Sequence, residues 1–216
     1  MSIYSKQSTI ACPALLFASL FMISGCQVAT VPSYQISSHN IIKLKNELSD
    51  RTIAIGNITL AKNVNTHMLC RLSGPIVLPA NVNMQEYLKD AIQKEMLGSG
   101  VFHANADNRL HVHITKLDFL SSMPAYWIIN ARISSTAYPT GYNVHVKHRF
   151  HTSWMADNAC TNTADALVTA VQAFIGKVID HDDFKLLTPK PTNKKSPHKH
   201  KILKTRKKAP RDTHSS

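Results

Sequence analysis

The chain has 216 residues, 44% of them hydrophobic, and carries 25 Lys and Arg against 13 Asp and Glu, a formal net charge of +12. The excess sits at one end: residues 189–216 hold ten Lys and Arg against a single Asp, whereas the body before them is nearly neutral. The basic balance therefore excludes a uniformly basic domain and belongs to a tail, and the body is long enough to bury a core of its own.

In chain order, "MSIYSKQST" carries Lys6 as its only charge and leads into an apolar run from Ile10 to Ile23. That run is shorter than the roughly 20 residues a bilayer-spanning helix needs, so residues 1–25 read as an export signal rather than as part of the fold. Ordinary signal cleavage asks for a small residue where Ile23 stands. The tetrad Ile23-Ser24-Gly25-Cys26 instead resembles the lipobox of bacterial lipoproteins. The resemblance implies that Cys26 is acylated and becomes the first residue of the mature chain; a plain secretory signal or an uncleaved anchor is the alternative. Each buried lipid methylene contributes about 0.8 kcal/mol, so the three chains of a lipoprotein give stable attachment. Gln27 in place of Asp implies transfer to the outer membrane, with the inner membrane as the alternative.

Beyond Cys12 and Cys26 the sequence has only Cys70 and Cys160. In an oxidising compartment they have a single possible pairing, and two independent buried thiols are the other reading. Residues 26–50 lack sustained periodicity and read as a lipidated tether, with a short helix in "IIKLKNELSD". "RTIAIGNITL", residues 51–60, predicts a buried strand. "CRLSGPIVLPANVN" is punctuated by Gly74, Pro75 and Pro79 and reads as a loop. Asn83 and Glu86 form a capping box ahead of a helix with Met84, Leu88, Ala91, Ile92 and Met96 on one face, closed by "GSG".

Three strands follow. Leu110, Val112 and Ile114 alternate with polar residues, and the apolar phase then shifts to Leu117 and Phe119, which predicts a bulge. Trp127, Ile129, Ala131 and Ile133 share the second strand's apolar face, and Val144, Val146 and Phe150 the third's. From Ala164 to Ile179 a wide apolar stripe predicts a helix packed on the sheet. The order strand, helix, three strands, helix gives an α+β two-layer sandwich, both helices on one face of a mixed four-stranded sheet, the first strand parallel to a neighbour. The expected organisation is a signal peptide over 1–25, a tether over 26–50, a periplasmic domain over 51–188 and a basic tail over 189–216. This arrangement resembles TolB amino-terminal domains, curli-secretion lipoproteins and transport-associated auxiliary lipoproteins. More locally, the run from Cys70 through Tyr87, "SGVF", Trp127, "FHTS", "AC" and "AVQ" to Phe184 resembles a group of proteobacterial lipoproteins of unassigned function.

No GxSxG, HExxH, phosphate-binding glycine loop or defensible carboxylate pair is present in the sequence, so no catalytic residue and no cofactor are expected. His111 with His113, and His145 with His151, share strand faces; a metal site across strands competes there with a solvated polar face. His148 falls in phase with the apolar side and reads as a hydrogen-bonded core histidine. "DHDD", residues 180–183, reads as solvated loop carboxylates. In the tail, Lys194, Lys195, Lys199, Lys201, Lys204, Arg206, Lys207, Lys208 and Arg211 suit a polyanion. After export that means lipopolysaccharide or peptidoglycan rather than nucleic acid; a merely solvating tail is the alternative. The expectation is a non-enzymatic outer-membrane lipoprotein facing the periplasm, an accessory or assembly subunit of an envelope complex. A histidine-based metal-binding protein and a hydrolase with noncontiguous residues are the alternatives.

Overall fold

A computed structural model describes residues 28–190; the expected signal segment, Cys26 and the tail cations from Lys194 to Arg211 lie outside them. In chain order the elements are β1 (Ala29–Thr30), α1 (Ser38–Glu47), β2 (Ala54–Leu60), β3 (Leu69–Cys70), β4 (Gly74–Val77) and α2 (Met84–Ser99). They continue as β5 (Arg109–Leu120), β6 (Tyr126–Ser135), β7 (Tyr142–Arg149) and α3 (Ala156–Ile179), with a final 3-10 turn over Asp182–Leu187.

The main sheet has the order β2-β5-β6-β7, with β2 parallel to β5 and the other pairs antiparallel. This is the expected mixed α+β sheet, with helices packed on it. Period-two alternation builds it: Leu110, Val112, Ile114, Trp127, Ile129, Ala131, Ile133, Val144 and Val146 all turn inward and are buried. The register shifts between Ile114 and Lys116, where the phase change predicts a bulge, so that Leu117 regains the core. At the β6–β7 turn Gly141 has φ +57, and a Cβ there would lie 2.0 Å from the Ile133 carbonyl oxygen, so only glycine fits.

The helices cover the inner face. The Asn83 side chain accepts from the Glu86 amide at 2.9 Å and Glu86 returns the bond to the Asn83 amide at 3.0 Å, which closes the capping box of α2. The Trp127 indole N–H donates to the Thr163 carbonyl at 2.9 Å and ties the sheet to α3. That helix begins at Ala156, two turns before the expected Ala164, and so contains Cys160. Its first turns read "ADNACTNT", small and polar residues with no apolar stripe to announce a helix.

Two expectations need correction. The tether assigned to residues 26–50 is built into the domain from Ala29 onward: the Val31 amide donates to the Val77 carbonyl at 2.8 Å, and Tyr34, Leu44 and Leu48 are buried. The apolar residues that do this are too widely spaced to form a periodic signal. The loop assigned to residues 70–83 contains a β3–β4 hairpin, and β1 adds to it in parallel as a second, three-stranded sheet of order β1-β4-β3. In "DHDD" Asp180 and Asp182 are exposed and Asp183 is half-buried, and the segment runs into the final turn, where Phe184 and Leu187 are buried. Among the described residues no helix is long and apolar enough to cross a membrane.

Candidate functional site

One end of the main sheet gathers three loops. Strand β5 ends there, β6 begins and β7 ends, so residues 121–125 and 150–155 lie side by side. The β3–β4 hairpin is drawn onto them by a disulfide between Cys70 and Cys160, whose Cα atoms lie 5.7 Å apart. This is the pairing that cysteine count admits. Next to it, Arg71 makes five hydrogen bonds: to the Ser121 carbonyl at 2.6 Å and its hydroxyl at 3.3 Å, to the Ser153 and Trp154 carbonyls at 3.0 and 3.3 Å, and to Thr152 Oγ1 at 3.5 Å. A planar guanidinium presents its donors in a fixed fork, so one side chain sets the spacing of all three loops. Ser73 adds a bond to Asp157 Oδ1 at 2.6 Å, and Thr152 donates to the Ser121 carbonyl.

This rigid frame turns large apolar side chains to solvent. Leu72 is 98% exposed, Trp154 93%, Met123 74% and Met155 66%, each within two residues of a group bound to Arg71 or of Arg71 itself. Isolated apolar residues on a surface are ordinary, but four of the bulkiest types around one stapled hub make this edge the candidate site. The hairpin turn adds backbone strain. Arg71 has φ +47 and Leu72 φ +58, and the Ser73 amide closes the turn on the Cys70 carbonyl at 2.9 Å. Asn-Gly is the economical choice for such a turn, and a left-handed conformation costs about 1–2 kcal/mol at a residue with a Cβ. The turn presents a leucine at its tip despite that cost.

The sequence hides this site. Trp154 and Met155 stand in a stretch without periodicity, and "RL" at the turn carries no glycine to mark it. What was legible is the cysteine pair that holds the hairpin in place.

A second polar centre lies between α1 and α2. Glu95 is fully buried, and its Oε1 accepts from the Tyr34 hydroxyl at 2.5 Å and from the Ser37 amide at 2.8 Å. Burial, reinforced by Glu95, pushes the Tyr34 phenol far above its ordinary range. Glu95 Oε2 and Thr188 Oγ1 are buried without a hydrogen-bond partner among the described residues, and both residues line a cavity of about 40 Å³ otherwise walled by apolar side chains such as Phe174, Ile92 and Leu187. Tyr87 is pushed up to about 12, by burial and then by Asp90. Tyr142 is raised further, by burial and then by Asp183; its hydroxyl donates to the Val178 carbonyl at 2.8 Å. These phenols are packed hydrogen-bond donors.

His111, His113 and His145 occupy the outer sheet face, whereas His151, expected beside His145, lies past the end of β7 at Arg149. His111 Nδ1 accepts from the Asn57 amide at 3.1 Å, His113 Nδ1 lies 2.8 Å from Thr59 Oγ1, and His145 Nδ1 lies 2.5 Å from Asn130 Oδ1. Gly56 makes the first of these possible, since a Cβ there would meet the His111 ring at 2.5 Å. Strand β6 separates His111 and His113 from His145, a span of about 10 Å across two strand spacings. Among the described residues no three His, Cys, Asp or Glu side chains converge as metal ligands. His148 points the other way, half-buried, with Nε2 2.9 Å from Thr169 Oγ1, and burial lowers its pKa from 6.5.

No protein-family model matches the sequence, and no curated protein matches it. Among solved structures, a crystal structure of a Xanthomonas campestris protein of the family DUF330 is similar at 10% identity, with a TM-score of 0.44, over 71% of this chain and 95% of that one.

Proposed function

We propose that the chain is a lipid-anchored accessory protein of the cell envelope, acylated at Cys26, facing the periplasm from the outer membrane and acting by binding rather than by turnover. The observation that carries this reading is the loop edge, where the Cys70–Cys160 disulfide and Arg71 hold Leu72, Met123, Trp154 and Met155 out to solvent. A strained, cross-linked frame that spends its apolar side chains on the outside is suited to contact. The disulfide also supports folding in an oxidising compartment. The tail, with Lys201, Lys204, Arg206, Lys207 and Lys208 at its centre, would engage lipopolysaccharide phosphates or peptidoglycan carboxylates by counterion release, an association that weakens steeply with salt.

The test is made in cells on the full chain. Labelled fatty acid should enter the wild type and not Cys26→Ser, and a photo-crosslinking residue placed at 154 should give a discrete adduct that the same residue at exposed Asn143, on the outer sheet face, does not. Equal labelling of both chains, or identical adducts from both positions, would overturn the reading.

A further inference from the structure

The partner of the loop edge follows from where the amino-terminal end of the domain points. Strand β1 pairs in parallel with β4, Ala29 opposite Ile76 and Thr30 opposite Val77. Parallel pairing makes the chain upstream of Ala29 approach from the Gly74 end of β4, which is the end that carries the Leu72 turn. Cys26 stands three residues before Ala29. An extended chain advances at most about 3.6 Å per residue, so Cys26 is never more than about 11 Å from Ala29. From Ile76 back to Leu72 is a comparable distance, about 13 Å of strand and turn. A lipid on Cys26 therefore brings a bilayer surface up against the same pole of the domain that exposes Leu72, Met123, Trp154 and Met155.

Resting on the reading that Cys26 is acylated, we infer that this edge is seated in the headgroup layer of the membrane that holds the lipid. The chemistry fits: an exposed indole with leucine and methionine beside it is the composition that settles at a bilayer interface, where apolar bodies leave water and polar tips stay wet. Tyr126 and Arg149, opposite each other in the register of β6 and β7, lie at the same end and add an aromatic and a basic flank. The two attachments do different work. Acyl chains joined through single bonds fix position and leave orientation free, whereas a rigid four-residue edge selects one orientation. Arg71 and the disulfide then serve to keep the apolar tips coplanar enough to enter together.

The two tryptophans make this measurable. Trp127 is fully buried and Trp154 is 93% exposed, so the emission lost in Trp154→Phe belongs to the edge. The processed full chain is reconstituted into phosphatidylethanolamine–phosphatidylglycerol vesicles carrying acyl chains brominated near the headgroup. Bromolipid should quench the Trp154 emission by about twofold or more, and acrylamide should reach Trp154 less than it does in unlipidated Cys26→Ser in solution. Without the acyl chains, adding Leu72→Asn and Met155→Ser to Cys26→Ser should weaken partitioning onto plain vesicles by about tenfold or more, with the circular dichroism unchanged. Trp154 that stays unquenched and open to acrylamide on the vesicle overturns the inference. So does a photo-crosslinker at 154 that yields a protein adduct and no lipid adduct in cells, an outcome that leaves the accessory-protein reading standing. Loss of fatty-acid labelling at Cys26 overturns both.

Discussion

The Tyr34 hydroxyl donates to Glu95 Oε1 at 2.5 Å across 61 residues of sequence, and this bond fastens the start of the domain to α2. Because the same oxygen accepts from the Ser37 amide, Glu95→Ala leaves a buried phenol and a part-buried amide without their acceptor. The expected cost is about 3 kcal/mol in urea denaturation. Glu95→Gln keeps an accepting oxygen for both donors and should retain most of the stability. A Gln variant as unstable as the Ala variant would show that charge, and not acceptance, holds the segment.

Leu72 occupies a left-handed conformation at an exposed tip, so Leu72→Gly should raise stability by about 1 kcal/mol while removing an edge side chain. Arg71→Ala should act in the opposite sense, lowering stability by about 2 kcal/mol, because five donations are lost, four of them part-buried. Thermal melts of both variants check the pair; a Leu72→Gly protein that melts below the wild type contradicts the strain.

Closing a loop with a sequence separation of 90 is worth about 4.6 kcal/mol on the chain-entropy account. The Cys70→Ser, Cys160→Ser protein should lose about that much or somewhat less, read by denaturation with and without reductant. Limited proteolysis should then cut near residues 71–73 and 152–156 before it cuts β5 or β6, since the hairpin is held to the main sheet there. First cuts elsewhere would mean that Arg71 alone suffices.

Burial lowers the pKa of His148 from its ordinary 6.5, so between the lowered value and 6.5 the unfolded chain binds more protons than the folded one. Stability is therefore full above that window and declines as pH falls through it. Replacing the imidazole with a non-titrating side chain, as in His148→Leu, should flatten this decline. Midpoints of urea unfolding between about pH 7.5 and about pH 5 measure it, and equal slopes in the two proteins would exclude His148 as the source.

Much of the domain is legible in the sequence because its signals are periodic. The alternation in β5 to β7, the phase slip at Thr115 and the Asn83–Glu86 cap each translate one physical rule into one local structure. What escapes has no local rule. Val31 and Tyr34 are buried by partners far along the chain, Cys160 sits in helical turns made of small polar residues, and the β3–β4 turn uses Arg71 and Leu72 where turn chemistry asks for glycine. The edge follows the same logic: exposure of Trp154 is a property of three loops meeting, and no window of sequence contains all three.

The cross-link between Cys70 and Cys160 also decides how the domain answers mechanical tension. The last described residues leave from the pole opposite the edge: the Leu187 carbonyl accepts from Asn108 Nδ2 at 2.6 Å and from Ser135 Oγ at 2.7 Å, at the far ends of β5 and β6. A pull between Val28 and Lys190 therefore runs along the strands, from one pole to the other. Strands β5, β6 and β7 all lie inside the disulfide loop, so they are absent from the covalent path that such a pull extends. Only residues before Cys70 and after Cys160 can lengthen. Extension under such a pull is thus confined to two stretches, β1 to β3 on one side of the cross-link and α3 beyond Cys160 with the final turn on the other, while those three strands stay folded behind it.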